Sequence, residues 1–168
     1  MKAVSKLVAG GLFVAALAVP AHAQGPYVFF GGGASIPVGS SSDHVKTGWM
    51  ATGGIGLDIG TRGLFVEAEG YYGQNKAKVG DEKAKLMGGL GAIGYSFMRE
   101  KKAHPYVLAG AGILSSKNGE SESQFAYSGA LGLVVSVATK INLWVEGRYL
   151  GTKDVKIVPV MGGLSINF

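Results

Sequence analysis

The chain has 168 residues, 47% hydrophobic and 16% charged, with 29 glycines, no cysteine and a formal net charge of +5. Its length fits one domain, the missing cysteines exclude a disulfide framework, and so small a positive charge argues against nucleic acid as a partner. No stretch after Val19 is long and apolar enough for a membrane helix.

The N-terminus reads as an export signal. Lys2 and Lys6 precede an uncharged apolar run from Leu7 to Val19, and Pro20 then leads into Ala21-His22-Ala23, a small-x-small cleavage site. The run is too short to span a bilayer, which needs about 20 residues. Residues 1–23 are therefore expected to be a cleaved signal peptide, and residues 24–168 an outer-membrane β-barrel. Removing 23 of 168 residues leaves 145 and takes away Lys2 and Lys6, so the charge falls from +5 to +3. A membrane-grade composition without membrane helices leaves the closed barrel, because lipid tolerates neither unpaired backbone groups nor open sheet edges.

Period-two segments between turn signals predict eight strands: Tyr27–Ile36, Thr47–Ile59, Leu64–Gln74, Lys85–Met98, His104–Ser115, Gln124–Thr139, Ile141–Leu150 and Lys156–Phe168. In the second, Trp49, Ala51, Gly53, Ile55, Leu57 and Ile59 alternate with Met50, Thr52, Gly54, Gly56 and Asp58. In the sixth, Phe125, Tyr127, Gly129, Leu131, Leu133, Val135 and Val137 alternate with smaller residues. The eighth sets Val158, Val160, Gly162, Leu164, Ile166 and Phe168 against Pro159, Met161, Gly163, Ser165 and Asn167. Each of these strands has one oily face. The fourth and fifth are small on both parities, and their facing stays open.

The connections alternate in length. Residues 60–63, 99–103 and 139–140 form short turns, whereas Pro37–Lys46, Asn75–Lys83, Ser116–Ser123 and Gly151–Val155 are longer or more polar loops. Outer-membrane barrels place short turns in the periplasm and long loops outside. Aromatics collect near the strand ends. Trp49, Tyr71, Tyr72, Phe125, Tyr127 and Tyr149 fall toward the outer side, with Tyr27, Phe29, Phe30, Phe65, Tyr95, Phe97, Tyr106, Trp144 and Phe168 toward the periplasmic side. Two aromatic belts are what a bilayer-spanning barrel calls for.

The chain resembles the small eight-stranded outer-membrane β-barrel proteins of Gram-negative bacteria: the OmpA-type transmembrane domain and the OmpX and Opa-like barrels. The likeness covers nearly the whole mature chain. It rests on Gly31-Gly32-Gly33-Ala34-Ser35-Ile36-Pro37-Val38-Gly39, Thr47-Gly48-Trp49, residues 105–112 (PYVLAGAG) and Val145-Glu146-Gly147-Arg148-Tyr149. It implies an all-β, eight-stranded antiparallel up-and-down transmembrane β-barrel in the bacterial outer membrane. Gly163, Ile166 and Phe168 are similar to the terminal signal read by the barrel assembly machinery, which is thereby an expected partner. The peptidoglycan-binding domain of OmpA-type proteins is not expected to carry over. The group includes adhesins and structural anchors, so the likeness specifies architecture far more than activity.

Several residues are candidates for function. By parity, Glu67, Glu69, Glu146 and Arg148 face inward, with Asp58 near the periplasmic end of its strand. Together they predict a lumen salt-bridge network with Arg148 as its hub. A network that fills the lumen is favoured over a switchable ionic gate, since eight strands leave an interior just filled by side chains. Lys46, Lys76, Lys78, Lys83, Lys85, Lys117, Lys153 and Lys156 lie in or beside the outer loops. They could contact lipopolysaccharide phosphates or simply belong to a solvated loop surface interspersed with acids.

An enzyme is not expected, and neither is a cofactor or a metal. The His-x-Ser arrangement of outer-membrane lipid A deacylases is absent: the chain offers His44-Val45-Lys46 and His104-Pro105-Tyr106. The palmitoyltransferase type needs an Asp-Ser pair where this chain has Asp81-Glu82. Gly89-Leu90-Gly91-Ala92-Ile93-Gly94 matches a dinucleotide motif only in its letters, since no helix pattern follows.

The expected protein is a monomeric, non-enzymatic surface or structural protein with a role in adhesion or envelope integrity. Its partners would be outer-membrane lipid, lipopolysaccharide and a host or envelope protein. A small solute channel is the main alternative, and a lipid-modifying enzyme a weaker one.

Overall fold

The computed structural model describes residues 23–60, 62–78, 83–118 and 120–168. The expected signal peptide lies outside these residues except for Ala23, where the first strand begins. Eight strands follow: β1 (Ala23–Pro37), β2 (Gly48–Ile59), β3 (Leu64–Lys76), β4 (Lys83–Ser96), β5 (Ala103–Asn118), β6 (Glu120–Ala138), β7 (Ile141–Gly151) and β8 (Lys156–Asn167). Each pairs antiparallel with its sequence neighbours, and β8 pairs back onto β1, closing the barrel in up-and-down order. Closure leaves no unpaired edge, which is what lets a sheet stand in hydrocarbon.

The facing follows the sequence periodicity. In β2, Met50, Thr52 and Asp58 are buried while Trp49, Ile55 and Ile59 are exposed. In β6, Ala126, Ser128 and Ala130 face inward, and Phe125 and Leu131 are each 69% exposed on the outer wall. β4 and β5 are now settled. Leu86, Leu90, Ala92 and Ser96 of β4 and Tyr106, Leu108 and Leu114 of β5 are buried, so even-numbered residues line the lumen in both. The glycine run at 89–94 belongs to β4, where Gly94 faces the ring of Phe65.

Two expectations are corrected. The loop expected at Ser116–Ser123 is instead a hairpin extension, whose ladder continues through Ser116↔Glu122 and Lys117↔Ser121 to Asn118↔Glu120. Alternating small and polar residues can pair as readily as apolar ones once the strands are side by side, so polarity here mimicked a loop. The aromatic belts are also thinner than expected. Phe30, Trp49, Tyr72, Tyr95, Phe97, Phe125, Tyr127, Tyr149 and Phe168 do point outward. They pair as Trp49–Tyr72 at one end and Tyr95–Phe97 at the other. Tyr71, Phe29, Phe65 and Tyr106 are instead buried in the lumen, and Tyr27 and Trp144 line its cavity.

Five of these inward aromatics lie opposite a glycine in register: Tyr27↔Gly56, Phe29↔Gly54, Phe65↔Gly94, Tyr106↔Gly132 and Trp144↔Gly163. The bare glycine gives a ring room to lie across the neighbouring strand. At Gly132 an added Cβ would fall on the Tyr106 ring. Narrow barrels need such large-against-small matching to fill the lumen without clashes.

The lumen has two halves. On the side of the long connections, Met50, Tyr71, Leu86, Leu90, Leu114, Ala126, Leu150, Ile157 and Met161 form one apolar cluster, with Met50 and Leu150 each 1% exposed. On the side of the chain termini lies a smaller cluster of Phe65, Ala92, Tyr106, Leu108 and Ala130.

Candidate functional site

β3 and β7 stand four strands apart in a ring of eight, on opposite walls of the barrel. Glu69 and Tyr71 share the inward parity of β3; Glu146 and Arg148 share that of β7. Arg148 crosses the lumen between them. Its Nη1 donates to Glu69 Oε1 at 2.5 Å, its Nε to Glu146 Oε1 at 2.6 Å and its Nη2 to Glu146 Oε2 at 3.1 Å. Nη1 also donates to the hydroxyl oxygen of Tyr71, which itself donates to Glu69 Oε2 at 2.6 Å. The planar fork of a guanidinium suits this two-walled grip, which an ammonium could not reproduce. Arg148, Glu69 and Glu146 are all buried. Breaking a buried pair of this kind typically costs about 3–5 kcal/mol.

The five charged residues read from the sequence do not form one hub. Glu67 lines the same cavity but accepts from the Tyr27 hydroxyl at 2.7 Å, and no Arg148 bond reaches it. Asp58 pairs with Arg99, from the short turn between β4 and β5. Arg99 was not among the sequence candidates, because parity assigns no face to a turn residue. Nor were the three tyrosines whose hydroxyls each serve a carboxylate: Tyr27, Tyr71 and Tyr106, the last donating to Glu146 Oε2 at 2.8 Å. Parity could have revealed Tyr71, two residues beyond Glu69 on the same face. Its position near a strand end suggested a belt instead.

Below Arg148 lies a cavity of about 230 Å³. It reaches from Glu69 and Thr52 down to Arg99, His104 and Asn167 near the chain termini. His104 is buried there, with Nδ1 3.2 Å from the Lys101 carbonyl oxygen. His44 lies in a single helical turn, Ser41–His44 (α1), at the opposite end of the barrel. The two histidines are therefore not brought together.

Polar contacts link the described outer connections to one another and to the barrel. Asn75 Nδ2 donates to the carbonyls of Ser35 at 3.1 Å and Lys46 at 3.0 Å. The Lys156 N–H donates to Ser41 Oγ at 3.0 Å, joining the first outer connection to the last. Of the lysine candidates, Lys46, Lys76, Lys78, Lys83, Lys85 and Lys153 are exposed and Lys156 is half-buried. Lys117 lies in the β5 ladder, and its side chain is outside the described residues. Lys76 is the register partner of Lys83, and Lys85 that of Lys117. At the C-terminus, Gly163 lies against the Trp144 ring and Ile166 pairs with both Val28 and Ile141. Phe168 is 68% exposed.

A closed up-and-down barrel with an apolar outer wall and aromatic ends defines a transmembrane β-barrel protein. The family model of the outer membrane protein beta-barrel domain matches residues 7–168, and the chain belongs to that family, located in the bacterial outer membrane. Among solved structures it is similar to neisserial surface protein A, with 16% identity and a TM-score of 0.70, covering 87% of this chain and 99% of that one. The N-terminal β-barrel domain of Pseudomonas aeruginosa OprF gives 15% identity and a TM-score of 0.57, covering 88% and 100%. Ail, the attachment invasion locus protein of Yersinia pestis, gives 15% and 0.53, covering 86% and 100%. No curated protein matches the chain.

Proposed function

We propose that this protein is a non-enzymatic, non-conducting barrel that presents its outer end to surface partners. The observation that carries the reading is the packed outer half of the lumen, where nine buried residues from Met50 to Met161 form one cluster that adjoins the Arg148 strut through Tyr71. A water-filled path would have to displace both. That weighs against the small-channel alternative, which would need a hydrated lumen. The absence of a His-x-Ser arrangement at both His44-Val45-Lys46 and His104-Pro105-Tyr106 weighs against a lipid-modifying enzyme, which needs a positioned base and nucleophile.

The outer lysines supply the partner chemistry. Lys76, Lys83 and Lys85 share the outward parity of β3 and β4 at the outer rim, where lipopolysaccharide phosphates would stand. Like charges directly opposite one another, such as Lys76 and Lys83, are destabilising. A bridging phosphate relieves that repulsion. Ail has been solved in complex with the heparin analogue sucrose octasulfate, and polyanion contact at the outer face is proposed for this chain too.

Planar-bilayer recording of the mature protein tests the reading. No steady conductance is expected, and a stable conductance in the nanosiemens range would overturn it. In a lipopolysaccharide pull-down, the triple substitution Lys76→Gln, Lys83→Gln and Lys85→Gln should reduce capture. Unchanged capture would remove the lysines from the interaction.

A further inference from the structure

The cavity on the side of the chain termini has an unbalanced charged lining. Asp58, Glu67, Glu69 and Glu146 line it together with Arg99, Arg148 and the His104 ring, which stands beside Asp58. Both guanidiniums are committed elsewhere: Arg99 to Asp58, and Arg148 to Glu69 and Glu146. Glu67 has no cationic partner among the described residues, only the Tyr27 hydroxyl.

A second observation points to a ligand. Ser96 lines the same cavity at 7% exposure, and its hydroxyl has no hydrogen-bond partner. The Trp144 indole N–H, on another wall, is also buried and unpartnered. Buried polar groups are ordinarily paired, so each such exception calls for an explanation. Ser96 lies nearer the barrel rim than Ala92, the cross-strand neighbour of Glu67, so the unpartnered hydroxyl and the Glu67 carboxylate sit at different depths.

Between them the walls are aromatic. Phe65 and Tyr106 meet edge-on at 5.9 Å, and Phe29 and Trp144 at 6.4 Å. Ring faces attract organic cations and cover aliphatic stems. No group of three or more His, Cys, Asp or Glu that could hold a metal ion occurs among the described residues. The aromatic walls suit a charge carried on a carbon stem.

We propose that this cavity binds a small linear amine with a second polar end, entering from the periplasmic rim. The ammonium rests on Glu67, the stem lies against Phe65, Tyr106 and Trp144, and the other polar end reaches Ser96. This goes beyond the surface role proposed above and does not depend on it, since binding is read at the periplasmic end and without any conductance.

The probe is putrescine, titrated into the mature, folded barrel. Trp49→Phe leaves Trp144 as the sole indole, because the chain has two tryptophans and Trp49 stands on the outer wall. Trp144 fluorescence should change saturably with putrescine, and neither butanediol nor succinate should reproduce the change. Glu67→Gln keeps an acceptor for Tyr27 and should weaken binding about tenfold or more, the usual scale for losing a charged hydrogen bond. Ser96→Leu should also weaken binding by filling the rim side, and it decides the matter alone if Glu67→Gln fails to fold. The proposal is overturned by the absence of a saturable response, by an equal response to butanediol, or by unchanged affinity in the variant that folds.

Discussion

Replacing Arg148 with alanine is the most direct probe of the lumen. The substitution removes four donated hydrogen bonds, two to Glu146, one to Glu69 and one to Tyr71. It also leaves the buried carboxylates of β3 and β7 facing one another without a cation. Losing one partner of a buried ion pair costs about 3–5 kcal/mol, most of it from the charge left behind. With a urea dependence of about 2 kcal/mol per molar, the unfolding midpoint should fall by about 1.5–2.5 M. The measurement is urea unfolding of the refolded barrel, followed by tryptophan fluorescence.

The companion variant separates charge from packing. Adding Glu69→Gln to Arg148→Ala removes one stranded carboxylate and should restore part of the midpoint. Arg148→Lys, which keeps the charge but loses the fork, should fall between wild type and Arg148→Ala. Glu67→Gln should recover less of the Arg148→Ala loss than Glu69→Gln does, because Glu67 bonds to Tyr27 and makes no hydrogen bond to Arg148. If Arg148→Ala unfolds at the wild-type urea concentration, or if Glu69→Gln brings no recovery, the strut is not what stabilises the lumen.

Gly132→Ala should push the Tyr106 ring away from Glu146 and cost about 1–3 kcal/mol as overpacking, whereas Gly129→Ala, whose Cβ meets nothing within 4 Å, should be near neutral by the same urea assay. Leu131→Arg places a cation on the lipid-facing wall and should destabilise the barrel by about 2–4 kcal/mol if Leu131 sits near the bilayer midplane; a change below the error of refolding equilibrium in lipid vesicles would deny that facing. Arg99→Ala breaks a pair that is only partly buried, so its loss should be smaller, about 1 kcal/mol, and should shrink as salt is raised.

Facing was legible in the sequence wherever the two parities differ in chemistry. In β2, β6 and β8, alternation is a property of neighbouring residues on one strand, and it requires no knowledge of the partner strand. The short turns at 60–63 and 139–140 were legible for the same local reason. β4 and β5 were not, because glycine and alanine on both parities carry no contrast. The hairpin ladder at Asn118↔Glu120 was hidden by its polarity, which reads locally as a loop.

The inward charges Glu67, Glu69, Glu146 and Arg148 were visible one strand at a time, but their pairing was not. Arg148 and Glu69 are 79 residues apart, and Tyr27 and Glu67 are 40 apart. Which carboxylate receives the guanidinium and which a phenol depends on strand register and on closure of β8 onto β1, which places β7 opposite β3. The aromatics divide in the same way. A strand-end position predicts a belt, but register decides whether a ring meets a glycine across the ladder, as Tyr106 meets Gly132, and turns inward. The sequence by itself determined a lipid-facing barrel, because a two-residue period is local. Only the closed tertiary structure decided the plug, the strut and the cavity, because each is built from residues that become neighbours only when the ring is complete.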